Sequence, residues 1–235
     1  MLCSKITPPG YNDSDAIELK NSIKTLFQTN KMNIVQIGAN DGISADPIFD
    51  YIIENEHINA FLVEPQQDAF EELKKNYKNV LHRVQCYKYA ITDSNDKIKL
   101  YKNNAINGTD GHSSLINRDI DIHNNIVVAD FNENSYELVD GITVNNFMDV
   151  IQHVNIDIMI IDTEGYDLEI IKMFFNHNIF PTLLYFESPG IKGYIPEKNF
   201  LKDNDADEFV NTILKMKYNI NILQSNWLCI LQDIK

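Results

Sequence analysis

Four short apolar runs, each closed by a glycine or an acid, constrain this chain more than any other feature. Residues 33–37 run into Gly38, residues 60–63 into Glu64, residues 156–161 into Asp162, and residues 182–186 into Glu187. Apolar runs of strand length with little polar alternation read as strands buried on both faces, and such strands belong to parallel sheets covered by helices. Segments with helical spacing lie between them. Residues 46–56 turn Ile48, Phe49, Ile52 and Ile53 inward, residues 66–77 turn Phe70 and Leu73 inward, and residues 166–175 come after the third run. This alternation predicts an α/β fold, a single Rossmann-like three-layer domain with a mainly parallel seven-stranded sheet. Residues 220–223 and 227–231, joined by Gln224-Ser225-Asn226, predict a C-terminal antiparallel hairpin.

The rest of the chain fits around that frame. Pro8-Pro9-Gly10 breaks the lead-in, and Ser14 is a candidate cap for a helix carrying Ile17, Ile23, Leu26 and Phe27 near one face. Residues 1–32 therefore read as a helical cover and residues 33–235 as the main domain. Residues 84–92 read as a third strand and 97–102 as an alternating edge strand. The stretch from about 103 to 140 is rich in Asn, Asp and Gly and reads as a long acceptor-side insertion, since long loops in compact domains are usually functional or disordered. Thr143 caps a helix to about residue 153, and residues 203–217 read as another helix.

With 235 residues the chain can bury one sizeable core without disulfides or a structural metal. Cys3, Cys86 and Cys229 are far apart and show no metal-ligand spacing. A net charge of −14 repels phosphate backbones, which argues against nucleic acid and anionic membranes as partners. No stretch approaches the ~20 apolar residues of a membrane helix, so no direct membrane insertion is expected, and a cytoplasmic location is.

The chemistry concentrates at the strand ends. Gly38-Ala39-Asn40-Asp41-Gly42 comes after the first strand, where open α/β sheets bind ligands. Glycines there let the backbone approach a ligand closely, and Asn40 and Asp41 offer polar side chains to it. Glu64 closes the second strand, pinned by Pro65, where nucleoside-binding folds place an acid on ribose hydroxyls. A dinucleotide pyrophosphate normally requires Gly-x-Gly-x-x-Gly. Asn40 stands at one of those positions and the third glycine is missing, so the cofactor should lack a pyrophosphate. S-adenosylmethionine (SAM) fits. Asp162-Thr163-Glu164-Gly165 places two carboxylates beside a glycine, able to hold an amino group, bind a metal or act as a base.

Taken in order, Val35 to Gly42, Phe61-Leu62-Val63-Glu64-Pro65, Tyr89-Ala90-Ile91-Thr92, Thr143-Val144-Asn145-Asn146-Phe147, Ile161 to Glu169 and Tyr185-Phe186-Glu187 resemble the successive motifs of the FkbM-type SAM-dependent methyltransferases. The resemblance covers roughly residues 33–187. It implies O-methyl transfer, often to a sugar or another hydroxylated metabolite. It carries Gly38, Ala39, Asn40 and Gly42 over as the methionine-side loop and Glu64 as the ribose ligand. Ala90 and Ile91 would flank the adenine, and Asp162 and Glu164 would face the reaction centre. Two departures stand out: Gln36 lies where the family often has an acid, which alters contacts to the methionine amino group, and Ile160 lies where it often has a lysine.

A hydroxyl acceptor needs a base. Glu164, Asp162, Glu187 and His112 are the candidates, His112 because imidazole titrates near neutrality and Gly111-His112-Ser113-Ser114 sits in the insertion. Asp162, Glu164 and Glu187 also supply the oxygens a divalent ion prefers, a subsidiary reading beside metal-free transfer. The other class of function compatible with the residues is a SAM-binding scaffold or regulatory partner without turnover.

Overall fold

The computed structural model describes residues 13–28, 30–101, 113, 136–187 and 214–232. Its elements are α1 (Asp13–Phe27), β1 (Met32–Ile37), α2 (Phe49–Glu54), β2 (Ile58–Val63), α3 (Gln67–Asn76), β3 (Val84–Tyr87), β4 (Ala90–Ile91), β5 (Lys97–Tyr101), β6 (Tyr136–Ile142), α4 (Val144–Val150), β7 (Ile158–Ile161), α5 (Asp167–Asn176), β8 (Leu183–Glu187), α6 (Lys215–Lys217), β9 (Tyr218–Ile222) and β10 (Asn226–Leu231). The main sheet has seven strands in the order β3-β2-β1-β7-β8-β10-β9. The first five are parallel, while β10 runs antiparallel to both β8 and β9. From β1 the chain moves outward through β2 and β3, then returns to the other side of β1 as β7 and β8. That reversal opens a crevice at the carboxyl ends of β1 and its neighbours.

Each face of the sheet holds its own core. Alternate residues of β1 divide between them: Ile34 packs with Leu19, Ile23, Ile48, Ile52 and Leu73 from α1, α2 and α3, whereas Val35 and Ile37 pack with Phe147, Leu168, Ile171 and Phe174 from α4 and α5. Two helical layers on one sheet are the consequence of strands apolar on both faces. Thr143 caps α4, its hydroxyl accepting from the Asn146 amide at 3.4 Å. Asp15, buried in α1, accepts from the amides of Gln224 and Ser225 and the Asn226 side chain, and so ties the covering helix to the β9–β10 hairpin.

Several expectations need correction. Helix α1 begins at Asp13, so Ser14 lies inside it, and its inner face is Ala16, Leu19 and Ile23, leaving Ile17 and Leu26 exposed. The expected strand over 84–92 is two strands: β3 joins the main sheet, and β4 leaves it for a second sheet of order β4-β6-β5. The strand expected over residues 97–102 is an edge strand, of the second sheet rather than the main one. β5 alternates exposed lysines with Ile98 and Leu100, has one face to bury, and meets the similarly alternating β6 in antiparallel register. β6 itself lies across the end of the stretch read as an insertion. Of the helix expected over 203–217, the described residues contain only its last turn, α6.

Candidate cofactor site and active site

The loop after β1 is built on positive φ. Gly38 has φ +81°, and a Cβ there would stand 1.8 Å from the Asp162 carbonyl oxygen, so only glycine lets the β1 and β7 ends meet. The amides of Gly38 and Ala39 both donate to the Val63 carbonyl, at 2.9 and 3.1 Å, which locks the loop to β2 as well. Asn40 continues at φ +48°. The Asp41 carboxylate accepts from the amides of Ile43 and Ser44 and from the Ser44 hydroxyl. It shapes the turn. Gly42 lies against Leu73 and Tyr77, where a Cβ would come within 2.7 Å of either ring or methyl carbon.

Glu64 comes directly after β2 and is only 5% exposed. Its carboxylate accepts from the Asn40 amide at 2.9 Å and the Gln66 amide at 2.8 Å. Burial pushes the Glu64 carboxyl up to about 7, with the Glu137 charge adding to the effect and the two amides opposing it. Pro65 borders a cavity of about 240 Å³ whose polar lining balances Lys88 and Lys97 against Glu137 and Asp140. Ala90 and Ile91 are enclosed: Ala90 packs with Leu100 and Val139, and Ile91 packs in the main core. The Gln66 side chain donates to the Ser113 hydroxyl, which brings that point of the insertion to the Glu64 rim. His112 lies outside the described residues.

On the other side of β1, Asp162 is exposed and its amide donates to the Ile37 carbonyl at 3.0 Å. Thr163 and Glu164 are half-buried, Glu164 at φ +54° and Gly165 at φ +101°. Glu187, half-buried, ends β8. Glu64, Gly38, Asp162 and Glu187 thus succeed one another along one edge of the sheet. At roughly 4.8 Å per strand, the β2 and β7 ends stand about 10 Å apart, with β8 about 5 Å further.

Two acids near this edge, half-buried Asp46 and buried Asp167, were given no role by sequence reasoning. Asp46 accepts from the amides of Ile48 and Phe49 at the start of α2 and from the Gln36 side-chain amide at 2.8 Å, and burial pushes it up to about 6. Asp46-Pro47 before an apolar run is a helix-start signal that marks this position. The Gln36 Oε1 atom, at the core of β1, is buried with no hydrogen-bond partner among the described residues. Asp167, in the first turn of α5, accepts from the Thr163 hydroxyl and the Gly165 amide, each at 3.1 Å, and burial pushes it too up to about 6. Among the described residues no group of three or more His, Cys, Asp or Glu is placed to hold a metal ion.

Five parallel strands, a reversed hairpin at one edge and a glycine turn opposite a strand-end acid define a methyltransferase-type Rossmann-like fold. The chain belongs to the FkbM methyltransferase family: the model of the methyltransferase FkbM domain matches residues 36–220. Its cofactor is SAM. Among solved structures, the fold is similar to that of the O-methyltransferase from Bacillus cereus in complex with SAH, at 11% identity and a TM-score of 0.50, covering 95% of this chain and 84% of that one. It is likewise similar to the cofactor-bound Rv0187 from MTB, at 11% identity and a TM-score of 0.50, covering 97% and 82%. A search of curated protein sequences finds no match.

The residues present fit that cofactor. A carboxylate, the group nucleoside-binding folds use for ribose hydroxyls, stands at the β2 end, a side-chain-free loop at Gly38 leaves room for backbone approach, and the Gln36 carbonyl has no hydrogen-bond partner among the described residues.

Proposed function

We propose that this chain transfers the methyl group of SAM to a hydroxyl of a sugar, a glycan precursor or a similar small hydroxylated metabolite. When bound, SAM supplies an electrophilic methyl carbon on a sulfonium. Glu64 receives the ribose hydroxyls, and the loop from Gly38 to Gly42, with Gln36 and Asp41 shaping and backing it, receives the methionine part. Pro65 limits the ribose side, with Ala90 and Ile91 as the packed wall behind the adenine. Asp162 meets the amino group of the methionine.

The observation that carries the acceptor class is the pair of carboxylates on the turn beside Gly38. A sugar hydroxyl is a weak nucleophile and must shed a proton as its oxygen bonds to the methyl carbon. Glu164 takes that proton, with Asp162, Glu187 and His112 as the other candidate bases. Alignment of the two reactants and exclusion of water supply the rest of the acceleration. The net charge of −14 favours an uncharged acceptor over a nucleic acid. The protein is proposed to act in the cytoplasm, and no helix among the described residues is long and apolar enough to cross a membrane.

The test is calorimetric titration with SAM, NADH serving as the comparison, and then release of S-adenosylhomocysteine across a panel of sugars and other hydroxylated acceptors. Saturable SAM binding with turnover on a hydroxylated acceptor supports the proposal. SAM binding without turnover on any acceptor moves it to the scaffold reading, and turnover on RNA alone overturns the acceptor class.

A further inference from the structure

The turn that carries Glu164 is held in a conformation its own sequence disfavours. Glu164 has φ +54°, where a side chain bearing a Cβ is unfavourable by about 1–2 kcal/mol. Such a residue persists only where its surroundings over-determine it. On one side the turn is braced by the glycine loop: the Asp162 carbonyl lies against Gly38, and the Thr163 methyl carbon would be 3.3 Å from a Cβ there. On the other side a carboxylate of α5 braces it. Asp167 is 3% exposed, and its Oδ2 accepts from Thr163 Oγ1 and the Gly165 amide, the residues that flank Glu164. Its Oδ1 is buried without a hydrogen-bond partner among the described residues. A buried carboxylate with one oxygen unpartnered among the described residues is an expensive way to begin a helix. Both of these hydrogen bonds reach backward, into the turn.

We infer that Asp167 is a positioning residue, whose carboxylate clamps the Thr163–Gly165 turn and so holds Glu164 in place beside the cofactor loop. The inference rests on the reading of this crevice as the SAM site. The clamp explains why the acid is buried: hydrogen bonds to an ionised oxygen in a dry site are strong enough to outweigh the backbone strain. Mechanical continuity runs from Asp167 through Thr163 to Gly38, and from Gly38 through the Val63 carbonyl to the Glu64 end of the crevice. A loosened turn therefore disturbs cofactor binding as well as Glu164.

A double-mutant cycle tests this. Asp167→Ala and Glu164→Gly are made singly and together, and SAM affinity and Tm are measured by calorimetry on the full chain. Glycine adopts a left-handed φ freely, so it relieves the strain that the clamp opposes. Asp167→Ala is expected to weaken SAM binding about tenfold or more in the Glu164 background, and about twofold in the Glu164→Gly background. The conservative Asp167→Asn keeps an acceptor and should recover most of the affinity. An equal loss in both backgrounds overturns the inference, as does a lower Tm with unchanged SAM affinity. If Asp167→Ala does not fold, Thr163→Val removes one hydrogen bond at nearly constant shape and should weaken binding about threefold; unchanged affinity overturns the clamp. If the wild-type chain fails to bind SAM, the cofactor reading has failed, and the cycle is scored on Tm, where additive changes overturn the clamp and non-additive ones support it.

Discussion

The strands flanking β1 end in the same pattern, an apolar run and then an acid, yet the two acids live differently. Glu64 after β2 is buried and gripped by the amides of Asn40 and Gln66. Asp162 after β7 is exposed, and the buried acid of that side is Asp167, further on in α5. The cause lies in the next few residues of each segment. After Glu64 the chain passes through Pro65 into α3 and the Gln66 amide donates to the carboxylate, whereas Glu164 and Gly165 take positive φ before α5 begins. In the proposed site, the ligand-facing acid and the structural acid of the β2 side are one residue. On the β7 side the proposal separates them: Asp162 and Glu164 are assigned to chemistry, while Asp167 accepts hydrogen bonds within the turn.

Gly38 joins the two sides, so its substitution is the most severe way to break the comparison. Gly38→Ala adds a Cβ that meets the Asp162 carbonyl at 1.8 Å and keeps a φ of +81° that alanine resists. Both β strand ends must separate. The expected loss is about 4 kcal/mol or more, among the largest that single substitutions give, and urea unfolding monitored by circular dichroism measures it. Stability within about 1 kcal/mol of wild type would show that the two strand ends are not rigidly joined.

Glu64→Gln separates binding from burial. It keeps the side-chain shape while removing the charge proposed to receive ribose hydroxyls. SAM affinity should fall between about tenfold and a hundredfold, the worth of hydrogen bonds to an ionised group, read by calorimetry at pH 8. An affinity unchanged by the substitution would move the ribose contact away from β2.

Acidity sharpens the contrast further. The folded protein holds Glu64 at about 7 against an ordinary 4.5, so between those values the native state binds a proton that the unfolded state has lost. Stability therefore falls as pH rises through that window and levels off above it, by roughly 3 kcal/mol from this residue alone. Asp46 and Asp167, pushed up to about 6 from 3.8, act with the same sign at lower pH. SAM affinity should run the other way, strengthening toward pH 8, since in the proposed role of Glu64 the ionised carboxylate is the form that accepts from ribose. Urea midpoints at pH 5.5 and 7.5 check the first trend, and Glu64→Gln should flatten it. A wild-type chain more stable at pH 7.5 would place the Glu64 carboxylate in contact with water.

Much of this architecture is legible in the sequence because burial on both faces writes itself as uninterrupted apolar runs. β1, β2, β7, β8 and the final hairpin all announce themselves that way, and Gly38 and Glu64 are found by standing at their ends. The second sheet is harder to see, since each of its strands has only one buried face and β6 lies next to a polar stretch. Its lysines, Tyr136 and Leu138 face outward and mask Leu100 and Val139. Asp46 and Asp167 are harder again. A single acid near a helix start looks the same in sequence whether it is solvated or enclosed, and only the packing of Gln36 over one and the backward turn beneath the other decide it. Ala90 and Ile91 match a motif, but a motif does not state which way a short strand faces.

The smallest expected effect isolates the exposed member of the pair. Asp162→Asn should leave urea stability within about 0.5 kcal/mol of wild type, as surface substitutions do, since the carbonyl and amide that meet Gly38 and Ile37 are kept by the substitution. A few-fold loss of SAM affinity should accompany it if the carboxylate meets the methionine amino group, in line with the worth of one partly solvated charge contact. The two readouts separate the parts of the strand end: urea stability reports what the carboxylate adds to the fold, and SAM affinity what it adds to the proposed ligand contact. A large loss of stability instead would mean that the β7 acid is structural after all, and that the two sides of β1 use their acids alike.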